Sequence, residues 1–440
     1  MLLRLSLLAL LTLSIPPAHA AADTAAALRV LRDECLGCHK PGKAKGGLLL
    51  TTREKTLSGG DSGAAMVPGK AEDSLLYQLL LEEGDPHMPP KKQLGAAQVE
   101  AVKQWIAAGA PWDAAVFDEL PRVSPVALQP LPSQYQPVLA LALSPDEKTL
   151  AIAAGSRVHL HDLTRPERPR TGSLSGHEET VQSLAWTADG KGLITGGFRQ
   201  ILIWDVATRK NSGRVGEGLV GNITALALSS DQQTLFAADG EPGGAGFLHR
   251  ISLGSKTVAS SWKAHDDTIY SLRLSPDGKM LASAAADKLA KIWNPADGKL
   301  ISFYEGHTSH VLSVAFNKEA SQLATAGADR EIKVWDVKSR EQDVTLGDKK
   351  TAFTALAWTP DGKALVAVTE KGGGAIYSDL KKHDGAQRSD TGKQTRLSGI
   401  SNMLYSVAVT NDGKTVFAGG DEGKVWLWDA AGKATGSIDP

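Results

Sequence analysis

The sequence predicts a small α-helical domain followed by an all-β domain of seven four-stranded blades. Three observations carry this. Cys35-Leu36-Gly37-Cys38-His39 stands between segments of helical periodicity. A short polar turn then recurs seven times downstream at a near-constant interval. Tryptophans recur in register with that turn. At 440 residues the chain is long enough for two or three domains.

Composition sets the outer limits. Hydrophobic residues at 42% and charged residues at 22% describe an ordinary globular chain. A net charge of −1 gives no basis for nucleic-acid binding. Near the start, Arg4 precedes an apolar run from Leu5 to Ile15, and Ala18-His19-Ala20 forms an A-x-A cleavage site. Residues 1–20 are therefore expected to be a signal peptide, and the protein to be exported to the periplasm. No membrane span is expected after cleavage, because no later stretch is apolar over sufficient length.

Residues 21–112 read as the first domain. C-x-x-C-H is the attachment pattern of c-type haem: two thiols one helical turn apart, then an imidazole for the iron. Cys35 and Cys38 are the only cysteines. A zinc site would want a second ligand pair, and a thioredoxin-like dithiol a neighbouring βαβ pattern; neither is present. One haem c per chain, bound covalently through Cys35 and Cys38 with His39 on the iron, is the expectation. A helix is predicted over Ala22–Glu34, a short one capped by Ser74 and running to about Glu82, and an amphipathic one over Ala96–Ala108. Met88, held between prolines in Pro86-His87-Met88-Pro89-Pro90, is the candidate distal iron ligand. His87 is its rival, and Met66 a further candidate. Lys40, Lys43 and Lys45 follow the haem motif, and Lys91 and Lys92 follow Met88. A basic rim of these residues would steer an acidic protein redox partner; a plain solvated face is the alternative.

The run C-L-G-C-H, K-G-G-L-L-L, G-G-D-S-G, V-P-G-K, S-L-L-Y, H-M-P-P and W-I-A-A-G-A-P-W, over about Ala27–Trp112, resembles the planctomycete-type cytochrome c domain. That resemblance implies a small all-α class I-like cytochrome c. It assigns the thioethers to Cys35 and Cys38, the proximal ligand to His39 and the distal ligand to Met88. Six-coordinate iron implies an electron carrier.

Residues 113–135 are proline-rich and read as a linker; they are also able to supply an outer strand to the second domain. From residue 136 short alternating apolar runs replace helical spacing. The turn begins at Ser144, Thr187, Ser229, Ser275, Asn317, Thr359 and Thr410, at intervals of 43, 42, 46, 42, 42 and 51. Four strands per interval make a propeller blade. In the fourth unit the strands are predicted at Ile269–Leu274, Met280–Ser283, Ala290–Trp293 and Lys299–Tyr304. Trp204-Asp205, Trp335-Asp336 and Trp428-Asp429, with Gly176-His177, Ala264-His265 and Gly306-His307, resemble the WD-repeat family over 136–440. The likeness is strong in blades two, four, five and seven and degenerate in one, three and six. It implies buried chains His307–Thr325–Asp329–Trp335 and His265–Ser283–Asp287–Trp293. Arg199 is placed where blade two would have its aspartate. The 239–246 insertion in blade three and the polar 381–395 segment in blade six are the expected partner-binding loops. Closure of the ring is expected through Thr435–Ile438 rather than the linker.

No nucleophile with a base, H-E-x-x-H or phosphate loop is present in the sequence. The expected function is electron transfer by an exported c-type cytochrome whose propeller docks a protein partner, more an interaction protein than an enzyme. Two alternatives stay open. One is a periplasmic haem oxidoreductase, which would need His249 or His310 to hold a second cofactor. The other is a redox or gas sensor with an opened iron.

Overall fold

The computed structural model describes residues 18–90, 92–117, 136–347, 350–380 and 392–440, with side chains from residue 24. It divides into two compact units, Met1–Pro121 and Arg122–Pro440. Residues 1–17, Lys91 and most of the expected linker lie outside the described residues. So does most of the 381–395 segment.

In the first unit α1, Ala18–Val30, packs on α4, Ala96–Ala107, with α2, Arg53–Ser58, and α3, Leu75–Gln78, between them in sequence. The expected cleavage after Ala20 falls inside the first turn of α1. Ala27, Leu28 and Leu31 on one side and Val102, Trp105 and Ile106 on the other are buried, as helical periodicity demands. Trp105 sits in this core because its one polar atom is satisfied: Nε1 donates to Pro111 O at 2.7 Å. Arg53 donates to the carbonyls of Gly109 and Ala110 and thereby closes the end of α4. After α1 the helix widens over Leu31–Cys35, where Leu36 N donates to Leu31 O, five residues back.

Three features differ from the sequence expectation. The helix α2 begins at Thr52, whose Oγ1 accepts from Lys55 N at 3.3 Å; glycines on either side mask it in the sequence. Ser74 does not cap α3 with its side chain. Its Oγ instead accepts from Val67 N and donates to Lys70 O, closing the preceding loop. The unit is also not purely helical: β1, His39–Lys40, pairs with β2, Lys43–Ala44.

The second unit is a ring of seven four-stranded antiparallel blades, residues 138–175, 183–215, 225–265, 269–304, 311–347, 353–397 and 404–438. Within each blade strands a to d follow in chain order. In blade four they are Ile269–Leu274, Leu281–Ala285, Ala290–Trp293 and Leu300–Tyr304. Strand a is innermost, because a-strands touch from blade to blade, and that of blade seven touches that of blade one. Blade seven supplies its own d-strand, Ala434–Ile438, so among the described residues no strand is shared across the joint. The core is seven apolar clusters, each built from two neighbouring blades. At the joint Val138, Leu150 and Ile152 meet Phe417, Val425 and Ile438.

The recurring turn has one local mechanism. Ser275 Oγ donates to Asp277 Oδ1, while Lys279 N donates to that same Oδ1 and Met280 N to Ser275 Oγ. The same three bonds recur at Ser144, Thr187, Ser229, Thr359 and Thr410. The next position is left-handed in every blade, at Glu147, Gly190, Gln232, Gly278, Ala320, Gly362 and Gly413. Glycine recurs there because it takes positive φ without a Cβ penalty.

The two expected buried chains are formed. His307 Nδ1 lies 2.9 Å from Asp329 Oδ2, and its Nε2 lies 2.8 Å from Thr325 Oγ1, which accepts from Trp335 Nε1 at 2.9 Å. His265, Ser283, Asp287 and Trp293 repeat this. Blade two keeps three of the four members: His177 Nε2 meets Thr195 Oγ1 at 2.6 Å, and Trp204 Nε1 donates to it at 2.9 Å. Arg199 is not at the aspartate position, as the sequence suggested. Trp204 follows Thr195 by nine residues, against ten from Thr325 to Trp335, so blade two is one residue shorter here. Arg199 (φ +52°) falls on the left-handed position of Lys288 (+73°) and Arg330 (+69°), and Phe198 takes the aspartate's place. Arg199 Nε then donates to Val220 O.

Two outcomes follow. Thr325→Val leaves the buried His307 Nε2 and Trp335 Nε1 without partners and should cost about 2–4 kcal/mol in urea unfolding. His177 has no carboxylate on Nδ1, and burial, followed by Arg214, pushes its pKa down to about 4. A lowered histidine pKa means the unfolded chain binds the extra proton first. Stability is therefore full above pH 6.5 and falls as pH drops toward 4, by about 1.4 kcal/mol per pH unit for such a group. His177→Gln should flatten the pH dependence of the urea midpoint in that window.

Candidate functional site

In the first unit one cleft of about 300 Å³ gathers the chemistry. That is the scale of a cofactor site rather than a packing defect. Its walls are Leu48, Leu50, Ala65, Leu75, Leu76, Leu79 and Leu80. Cys35, His39 and Met88 line it together, although 53 residues separate the first from the last. Three stretches of chain bring them there. The wide turn ends on Cys35, β1 begins at His39, and Leu50 N donates to His39 O at 2.9 Å, which holds the leucine wall against the motif. Met88 N donates to Leu79 O at 2.8 Å, fixing the Pro86–Pro89 segment beside α3. Two glycines let the opposite wall close in: a Cβ on Gly60 would stand 2.2 Å from Gly46 O, and one on Gly59 1.9 Å from Gly63 O.

The donors are distinguishable. His39 Nδ1 is buried with no hydrogen-bond partner, a costly state for an imidazole that has no further ligand. Cys35 and Cys38 are half-buried and form no disulfide. Cys38 follows one turn after Cys35, with Cys38 N donating to Cys35 O, and it does not line the cleft. Burial, then the charges of Glu34 and Cys38, pushes the Cys35 thiol up to about 12. A redox dithiol needs the opposite shift. His87 faces away: Nδ1 lies 3.1 Å from Pro89 O and Nε2 2.6 Å from Gln93 Oε1. Met66 packs in the apolar core. The residue set thus fits a haem with an apolar surround, one imidazole and one thioether.

The lysines do not form a uniform rim. Lys45 lines the cleft, but Asp85 does too. Lys43 is exposed, Lys40 is half-buried, and Lys92 pairs with Glu34. Lys91 is outside the described residues.

In the second unit His249 has no nitrogen left for a cofactor. Its Nδ1 lies 2.8 Å from Ser261 Oγ, and its Nε2 2.8 Å from Asp239 Oδ1, bent off the line of a good hydrogen bond. Both side chains are fully enclosed. Asp239 Oδ2 accepts from Val220 N. This carboxylate–imidazole–hydroxyl chain occupies the blade most degenerate in sequence. His310 lies beside the ring of Tyr270. Among the described residues no three His, Cys, Asp or Glu cluster as metal ligands.

Family comparison agrees with this division. Residues 168–205, 256–294, 298–336 and 393–429 match the WD domain, G-beta repeat, on blades two, four, five and seven. Residues 35–92 match the planctomycete cytochrome C family. The chain carries a planctomycete-type cytochrome c segment fused to a WD-repeat propeller. Curated relatives include WD repeat-containing protein slp1 of Schizosaccharomyces pombe, 26% identical over 33% of this chain and 40% of the relative. Anaphase-promoting complex subunit cdc20 of Dictyostelium discoideum is 29% identical over 34% and 29%. Serine-threonine kinase receptor-associated protein of Mus musculus is 31% identical over 34% and 52%. The chain thus spans between about a third and a half of the length of these relatives.

Gln93 links His87 to the body of the cytochrome c segment, since its Nε2 also donates to Leu80 O at 3.0 Å. Gln93→Leu should release His87, seen as exchange broadening of the His87 and Met88 resonances in NMR spectra while the WD-repeat resonances stay unchanged.

Proposed function

We propose that this is an exported, periplasmic c-type cytochrome: a small class I-like cytochrome c unit holding one covalent haem c for electron transfer, with the WD-repeat propeller docking a protein partner. The observation that carries the reading is the convergence of Cys35, His39 and Met88 on one apolar cleft within a C-x-x-C-H segment.

In this reading Cys35 and Cys38 would hold the group through thioether bonds, and His39 and Met88 would be the two protein donors to its iron. When bound, the haem contributes a reversible one-electron change at iron. The leucine wall would keep water from the site, and a thioether donor paired with an imidazole would favour the reduced state more than a second imidazole would. Gln93 and Pro89 O hold His87 away and leave Met88 facing the cleft. The names of the relatives, an anaphase-promoting complex subunit and a receptor-associated protein, support docking of a protein as the role of the propeller. Export rests on Arg4, the Leu5–Ile15 run and the A-x-A motif. No described helix is long and apolar enough to cross a membrane.

The test is a visible spectrum of protein made with the cytochrome c maturation machinery. One haem per chain should survive denaturation in the native protein and be lost from Cys35→Ser/Cys38→Ser. Met88→Ala should abolish the long-wavelength sulfur-to-iron charge-transfer band and admit carbon monoxide to the reduced form, while His87→Ala leaves both unchanged. A carbon monoxide shift in the unmutated protein would overturn the carrier reading in favour of a gas sensor.

A further inference from the structure

The central channel of the propeller is lined by the seven a-strands. Their penultimate positions are Ala142, Ala185, Ala227, Arg273, Ala315, Ala357 and Ala408. Each pairs in register with its own b-strand, so the seven are structurally equivalent. Six blades place a methyl group there and blade four a guanidinium. Packing does not ask for it, since the neighbouring blades close well with alanine.

Arg273 is enclosed by protein yet exposed to solvent through the channel. Its one recorded bond is from Nη1 to the carbonyl of its own neighbour Leu272, at 2.9 Å. No aspartate or glutamate is among the described residues that line the channel. Crowding by protein lowers its pKa, with no carboxylate acting against that shift. A guanidinium in a narrow channel with no carboxylate beside it is a ready partner for an anion.

The rest of the lining agrees. Ser183 Oγ donates to Ile223 O and Thr224 Oγ1 to Ile269 O, while Ser271 and Ser313 accept from Val314 N and Leu356 N. These hydroxyls are consumed in stitching blade to blade. Ser406, their counterpart in blade seven, lines the same channel, and its Oγ makes no hydrogen bond. The cavity measures about 140 Å³, enough for a small oxyanion with some of its water and too little for a nucleotide-sized ligand.

We propose that the propeller channel is a binding site for a small oxyanion, a phosphate or a short carboxylate, gripped by the Arg273 guanidinium. Its planar fork presents parallel N–H donors to two oxygens at once. The site is independent of the haem reading and should be present with or without haem.

The test is isothermal titration of the full chain, in a buffer free of oxyanions, with inorganic phosphate, sulfate and succinate in turn. At least one of the three should bind at one site per chain, and the tightest identifies the class. Arg273→Ala should weaken it tenfold or more, and Arg273→Lys less. Arg273→Ala is expected to fold, because six blades already carry alanine there; an unchanged circular dichroism melt in oxyanion-free buffer checks this. A native protein that binds none of the three, or an Arg273→Ala variant that binds as tightly as native, would overturn the proposal.

Discussion

A four-stranded blade has two apolar faces and no means of covering either alone. Each cluster of the propeller core is therefore shared between two blades, and the ring is stable only when all seven interfaces are made. Polar groups are admitted on strict terms. The His–Thr–Asp–Trp chain of blade five and its counterpart in blade four bury four polar side chains each by giving them one another. Blade three reaches the same end with Asp239, His249 and Ser261, drawn from different strand positions.

The cytochrome c segment solves a different problem. Its helices form a small core, and Cys35, His39 and Met88 lie outside α1 to α4. Cys35, His39 and Met88 are placed by backbone hydrogen bonds from Leu50 and Met88 and by glycines that allow close approach. Cys35 and Met88 pack only at the margin of that core and, with His39, line the cleft.

What was legible in the sequence is what repeats or what is chemically singular. The turn at Ser275 and its counterparts could be read because one hydroxyl and one aspartate do a complete job within six residues. C-x-x-C-H marked the segment that matches the planctomycete cytochrome C family, because few sequences carry that order. The one-residue deletion in blade two was hidden because Arg199 looks like a substitution until its left-handed backbone is seen. The Asp239–His249 pair was hidden because cross-strand register, not spacing, joins it. The mixed surroundings of the cleft were equally invisible: Lys92 reads as a surface charge, and its partner Glu34 lies 58 residues away.

Each blade is one unbroken stretch of chain, the last included. The first and last blades of the ring thus meet at an ordinary blade-to-blade interface, with no strand among the described residues borrowed from the far end to latch it. Topologically the ring is a string of seven equal beads bent round until its ends touch. Such a ring has no privileged beginning: joining its ends and opening it between any other two blades would yield the same circle from a rearranged gene. It also has one joint that no peptide bond spans, and under pulling from its two ends that joint parts first.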